Sequence, residues 1–113
     1  MIEATKRQVE VYTNPIGLEP FQLWLDELSD RRAQLLIDKT IAKIRLGNLG
    51  KHKSVGEGVQ EIKLDYGAGF RLYFAEHGNA LVILLCGSTK RDQQKAIEMA
   101  QKYWKDWKER SRK

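Results

Sequence analysis

The sequence predicts an α+β domain with a mostly antiparallel sheet. Segments that alternate polar and apolar residues cluster in the second half, joined by short turns, which is the pattern of hairpins. Apolar residues recur at helical spacing in two other places, an early pair of segments and the C-terminal stretch. No helical pattern separates the later strands, so parallel crossovers between them are excluded. The expected order is strand–helix–helix–strand–strand–strand–helix, and residues 1–113 read as one domain.

Gln8-Val9-Glu10-Val11-Tyr12 alternates and predicts a first strand with one buried face. Thr13-Asn14-Pro15-Ile16-Gly17 is turn chemistry and ends it. Leu18, Phe21, Trp24, Leu25 and Leu28 follow at helical spacing, with Pro20 tolerated in the first turn. Ser29-Asp30 interrupts this helix and offers an N-cap for the next. Ala33, Leu36, Ile37, Thr40, Ile41 and Ile44 line one face of the second helix, and Gly47 is placed to stop it. Residues 47–58 hold four glycines in twelve positions, so a loop is expected there.

Three strands are then predicted. Val59–Tyr66 places Ile62 and Leu64 on one face and Glu61, Lys63 and Asp65 on the other. Phe70–Ala75 separates Phe70, Leu72 and Phe74 from Arg71 and Tyr73. A three-residue loop ending in a left-handed Gly69 would pair Asp65 with Arg71 and Lys63 with Tyr73. Leu81–Cys86 is apolar on both faces and belongs inside the sheet, after a turn at His77-Gly78-Asn79. The last element is a helix. Thr89-Lys90-Arg91-Asp92 matches a capping signature, and Ala96, Ile97, Ala100, Tyr103, Trp104 and Trp107 form its buried stripe. The tail from Lys108 to Lys113 is expected to fray.

With 42% hydrophobic residues and 31% charged residues in 113, the chain is neither disordered nor fibrous. A single cysteine, Cys86, excludes an internal disulfide and suits a reducing compartment. No apolar run is long enough for a membrane span, and Met1–Arg7 has no apolar leader core. A cytoplasmic protein without membrane partners is expected. The net charge of +5 is uneven. Residues 1–50 carry seven basic and seven acidic side chains, whereas residues 51–113 carry 13 against eight. Such asymmetry points to a polyanionic partner, nucleic acid first, or to a solvated surface that keeps a small protein soluble.

Phosphate-binding loops, dinucleotide fingerprints and nucleophile elbows are absent from the sequence, and two separated histidines with one cysteine make no zinc site. No metal and no cofactor are expected. What remains is basic and aromatic. Arg71, Lys63 and Tyr73 share the polar face of the predicted hairpin, His52 and Lys53 lie in the glycine-rich loop, and Lys90 stands at a helix start, against the helix dipole. Metal-free phosphodiester cleavage can use these residue types. Arg and Lys stabilise charge on the non-bridging oxygens, and Tyr, His or Lys exchange protons. Each residue also has a structural alternative. Arg71 pairs with Asp65, Tyr73 packs under the last helix, Lys63 is solvated, Lys90 decorates the cap, and His52 is a surface loop residue.

The runs Gly47-Asn48-Leu49-Gly50, Lys53–Lys63, Tyr66–Phe74 and Leu84–Gly87, with Lys90 and Gln93, resemble the RelE/ParE superfamily of toxins from bacterial type II toxin–antitoxin modules. The likeness is strongest to the HigB-like, or addiction-module killer, subgroup, and it covers nearly the whole chain. It departs from the subgroup pattern at Lys51, Thr89 and Ala96, where acidic residues are expected. The resemblance implies a RelE-like fold and a cytoplasmic toxin held inactive by a cognate antitoxin, often a helix-turn-helix protein. It implies a ribosome-dependent mRNA endoribonuclease, or mRNA interferase, that inhibits translation. Arg71 would contact the scissile phosphate, with Lys63, Lys90, Tyr73 and His52 as further catalytic candidates and Lys53, Arg91 and Lys95 as RNA contacts. ParE-like members poison DNA gyrase instead, and a toxin can also act with its antitoxin on operator DNA, so fold alone does not fix activity.

Overall fold

A computed structural model describes residues 6–112. Met1–Thr5, most of the segment read as lacking a leader, lie outside the described residues, as does Lys113. The chain forms β1 (Gln8–Val11), α1 (Pro20–Glu27), α2 (Arg31–Arg45), β2 (His52–Ser54), β3 (Gln60–Lys63), β4 (Arg71–His77), β5 (Leu81–Ser88) and α3 (Gln93–Ser111). One five-stranded sheet has the order β1-β5-β4-β3-β2. β1 runs parallel to β5, and the other pairings are antiparallel. This is the α+β class expected, with the helices in the expected order.

Both faces of the sheet are covered, and the period-2 pattern decides which residue goes where. Ile62, Leu64, Phe70, Leu72, Phe74, Val82 and Leu84 pack against Phe21 of α1 and Ala33, Ile37, Ile41 and Ile44 of α2. Val59, Tyr73, Ala75, Ile83, Leu85 and Cys86 pack against Ala100 and Trp104 of α3. The joint between α1 and α2 follows from its polar residues. Asp30 Oδ1 accepts from the Ala33 amide at 3.1 Å, the N-cap bond expected of it. Gln34 Nε2 donates to the Leu25 and Leu28 carbonyls at 3.2 and 2.8 Å, satisfying the end of α1.

Four expectations need correction. The glycine-rich segment holds a short edge strand, β2, where a loop was expected. Its three residues pair with Gln60–Ile62, and backbone pairing to β3 outweighs their exposed, polar character. The β3–β4 register is two residues from the expected one, with Lys63 opposite Arg71 and Glu61 opposite Tyr73. The reason is a wider turn. The Leu64 amide bonds the Phe70 carbonyl, and Gly67 and Gly69 both take positive φ inside it. A shift of two preserves the face of every side chain, so the apolar set stays together.

The capping signature is not realised. The side chain of Asp92, the N-cap residue of α3, makes no capping bond, and the Thr89 carbonyl instead accepts from the Asp92 amide. The tail is also less frayed than expected, because α3 continues to Ser111. Arg110 ties it down through Asp106 at 2.8 Å and the Thr13 carbonyl.

A β-bulge interrupts β5. Tyr73 lies opposite Cys86 and Phe74 opposite Leu84, which leaves Leu85 as the extra residue. The extra residue inverts the alternation beyond it. Gly87 therefore turns toward α1, against Trp24, and Ser88 turns toward Tyr73.

Candidate functional site

The α3-covered face of β3 and β4 carries a polar cluster where an apolar core would otherwise continue. Glu61 and Arg71 are 3% and 5% exposed. Glu61 Oε2 accepts from Gln93 Nε2 at 3.0 Å and stands 3.7 Å from Arg71 Nε. Its other oxygen is 3.7 Å from Lys53 Nζ on β2. Arg71 Nη1 donates to the Gly69 carbonyl at 2.6 Å, while Arg71 Nε is buried without a hydrogen-bond partner among the described residues. Tyr73, fully buried next to them, shares a 3.1 Å hydrogen bond with Ser88. The period-2 pattern brings Glu61, Arg71 and Tyr73 together, the bulge adds Ser88, and the first turn of α3 supplies Gln93.

Beside this cluster is a concavity of about 460 Å³ lined by Lys63, Asp65, the Tyr66–Gly69 turn and Lys90. Its shape follows from the turn. The Lys90 amide donates to the Ala68 carbonyl at 3.1 Å, which fastens the segment before α3 to the β3–β4 connection. Gly69 has φ +74, and a Cβ there would stand 3.2 Å from Arg71 Nη1 and 3.3 Å from Lys90 Cβ. The turn thus separates an exposed lysine from a buried guanidinium by a single glycine. Lys63 pairs loosely with Asp65 at 3.9 Å, and both side chains are well exposed.

The structure sorts the candidate residues. Lys63 and Lys90 share the concavity. Lys53 is close by, across Glu61, with a largely exposed side chain. Arg91 is exposed and 3.4 Å from Asp92, and Lys95 is exposed on the first turn of α3. Three assignments are corrected. Arg71 is not an open phosphate clamp, because its guanidinium is held internally by Gly69 and Glu61. The partner it found is Glu61, since the register places Asp65 beyond the end of β3. Tyr73 has no access to a substrate proton, and burial pushes its phenol above its ordinary range. His52 lies on the opposite face of the sheet, opposite Ile62, with its ring edge-on to Phe74 at 6.0 Å.

Glu61, Asp65, Gln93 and Ser88 were not singled out from sequence as site residues. Glu61 carried a usable signal, an acidic residue on the same strand face as Lys63. Ser88 carried none, because its orientation depends on the bulge.

Fold and site define an α+β protein with a buried carboxylate–guanidinium pair beside a lysine-lined hollow. The chain belongs to the same family as an uncharacterized protein of Haemophilus influenzae, 41% identical over 80 residues that span 71% of this chain and 81% of that relative. No protein-family model matches the chain. Among the described residues, no group of His, Cys, Asp and Glu is arranged to hold a metal ion, and no helix is long and apolar enough to cross a membrane.

Proposed function

We propose that this protein is the toxin of a type II toxin–antitoxin module and cleaves messenger RNA on the ribosome. The observation that carries the reading is the convergence of Lys63, Lys90 and Asp65 on one hollow, with the Arg71 charge behind Gly69. Two lysines on a concave surface suit a phosphodiester, whose non-bridging oxygens gain charge as the chain is cut. In this reading the ribose 2′-oxygen attacks the adjacent phosphorus and the bond to O5′ breaks. The products are a 2′,3′-cyclic phosphate and a 5′-hydroxyl. Asp65 accepts the 2′-hydroxyl proton, and Lys90 donates to the leaving O5′. Lys63 and Lys90 hold the phosphate, while Lys53, Arg91 and Lys95 extend the basic surface along neighbouring RNA. Arg71 acts as a positioning residue. The ribosome supplies the orientation of the message, which explains how a site with few proton-transfer groups can suffice. A cytoplasmic location, a cognate helix-turn-helix antitoxin, and contact with operator DNA only through that antitoxin belong to the same reading.

The burial of Arg71 and Tyr73 favours a second reading, a protein that binds without cutting, either as a gyrase poison or as a regulator on operator DNA. Mapping new transcript 5′ ends after induction separates the two. Ends clustered in codon register support the nuclease. DNA damage without such ends supports gyrase poisoning, and neither result with retained operator binding supports the regulator.

A further inference from the structure

A second hollow, of about 350 Å³, opens between α1 and the first turns of α3. Its walls include Trp24, Ser88, Asp92, Lys95, Met99 and Tyr103. A larger hollow of about 770 Å³ runs along the outer flank of α3, but lysines and glutamates dominate it and it has no aromatic wall. The smaller one is the better built. Trp24 is fixed from three sides, by Phe21 at 5.9 Å, by Phe70 at 6.4 Å and by Gly87. A Cβ on Gly87 would lie 2.3 Å from Trp24 Cζ3, so the ring seats there only because residue 87 has no side chain. Tyr103 is fixed from behind by stacking on Tyr12 at 4.9 Å. Two immobilised aromatic rings from two helices therefore border one cavity, and little ordering remains to be done when a flat ligand enters.

The polar groups at the rim are exposed. The Asp92 side chain makes no capping bond to α3, and its ion pair is with the exposed neighbour Arg91. Lys95 has no ion-pair partner among the described residues. A carboxylate and an ammonium at the edge of an aromatic slot match the donor and acceptor edge of a nucleobase. The position also fits. Lys90 borders the first hollow and Asp92 borders the second. Two residues span at most about 7 Å, so the hollows lie side by side across the segment before α3.

We infer that the Trp24–Tyr103 hollow takes the base of the nucleotide adjoining the phosphate held at Lys63 and Lys90. The inference rests on the RNA-cleaving reading for the identity of the strand, while the base slot itself is testable alone.

The indole N–H resonance of Trp24, identified by its loss in Trp24→Phe, is followed by NMR in the full chain. The probes are AMP, CMP, GMP and UMP, with ribose 5-phosphate and inorganic phosphate for comparison. At least one nucleotide is expected to move the Trp24 signal at millimolar concentration, and the base-free compounds are not. Asp92→Ala or Lys95→Ala, both at exposed positions, should weaken that nucleotide by about tenfold, the loss of one hydrogen-bonded base edge. Lys63→Ala with Lys90→Ala should abolish cleavage and weaken the nucleotide whose phosphate they hold, while the corresponding phosphate-free nucleosides still move the Trp24 signal. Equal shifts from ribose 5-phosphate, or no shift from any nucleotide by a chain that still cuts RNA, overturn the base slot and spare the nuclease. A base-dependent shift in a chain that cuts nothing keeps the slot and removes the nuclease.

Discussion

Arg71 Nε stands 3.7 Å from Glu61 Oε2, both groups are nearly inaccessible to water, and the Nε–H has no hydrogen-bond acceptor among the described residues. At that distance the pair gains Coulomb attraction without a hydrogen bond between these two atoms. Burying two charges costs several kcal/mol per ion, and only good geometry repays it. A pair held short of that geometry has a weak case as a stabilising element. It has a stronger one as a fixed charge beside the Lys63–Lys90 hollow.

Removing one partner should therefore hurt more than removing both. Glu61→Leu leaves Arg71 without its buried counter-charge and should cost about 3–5 kcal/mol in urea unfolding. The double variant Glu61→Leu, Arg71→Met should recover most of that loss, because the hydrophobic pair fills the same space. Growth arrest should not return with the stability. A double variant both stable and fully toxic shows that the pair has no functional role.

Lys63 and Lys90 should separate activity from stability. Both are exposed, and the Lys63–Asp65 contact is a surface pair worth at most about 1 kcal/mol. Lys63→Ala and Lys90→Ala should each change stability by no more than about 0.5 kcal/mol. Each should slow RNA cleavage by about 100-fold, the order expected for one group that stabilises transition-state charge. Denaturant titration and product quantification on the same preparations check both halves.

The protein should lose stability in strong alkali in a defined window. Burial, together with the hydrogen bond to Asp106 at 2.7 Å and that residue's charge, raises the Tyr12 phenol from 10 to about 12. The folded state holds this proton more tightly than the unfolded chain does. Its contribution is therefore complete below pH 10 and is lost as the pH rises toward 12. Tyr12→Phe should flatten that part of the stability–pH curve. Cys86, whose thiol burial pushes up to about 12, should resist thiol reagents at pH 8 until the chain unfolds.

Gly87→Ala, near the end of β5, should destabilise by more than an ordinary surface substitution. Gly87 has no positive φ to explain it, so the cause is the Trp24 ring, 2.3 Å from the added carbon. Overpacking of this kind costs about 1–3 kcal/mol. Pairing it with Trp24→Leu should relieve the loss, and thermal unfolding of the single and double variants measures the coupling.

The order of helices and strands was legible because each segment declares its own period. Asp30 and Pro20 marked helix starts by chemistry that acts within one turn. The short strand β2 was hidden because its three residues are exposed and owe their conformation to pairing with β3. The face shared by Lys63, Arg71 and Tyr73 was readable from alternation, but the depth of each residue was not. Depth depends on where α3 lands, and Tyr73 packs with Ala100 and Trp104 of α3 while Lys63 stays open. His52 misled because a loop has no parity, whereas a strand position assigns it to the Phe74 face. The bulge at Leu85, which turns Ser88 inward and Gly87 toward Trp24, has no local sequence mark and arises from strand pairing.

The most direct measurement uses purified ribosomes loaded with a defined message. Wild-type protein and the Lys63→Ala, Lys90→Ala double variant are added, without metal, and the RNA ends are identified chemically. The wild type is expected to leave a 2′,3′-cyclic phosphate and a 5′-hydroxyl, and the variant is expected to lose that cut. An uncut message in the presence of a folded wild-type chain, or equal cutting by both proteins, contradicts this expectation.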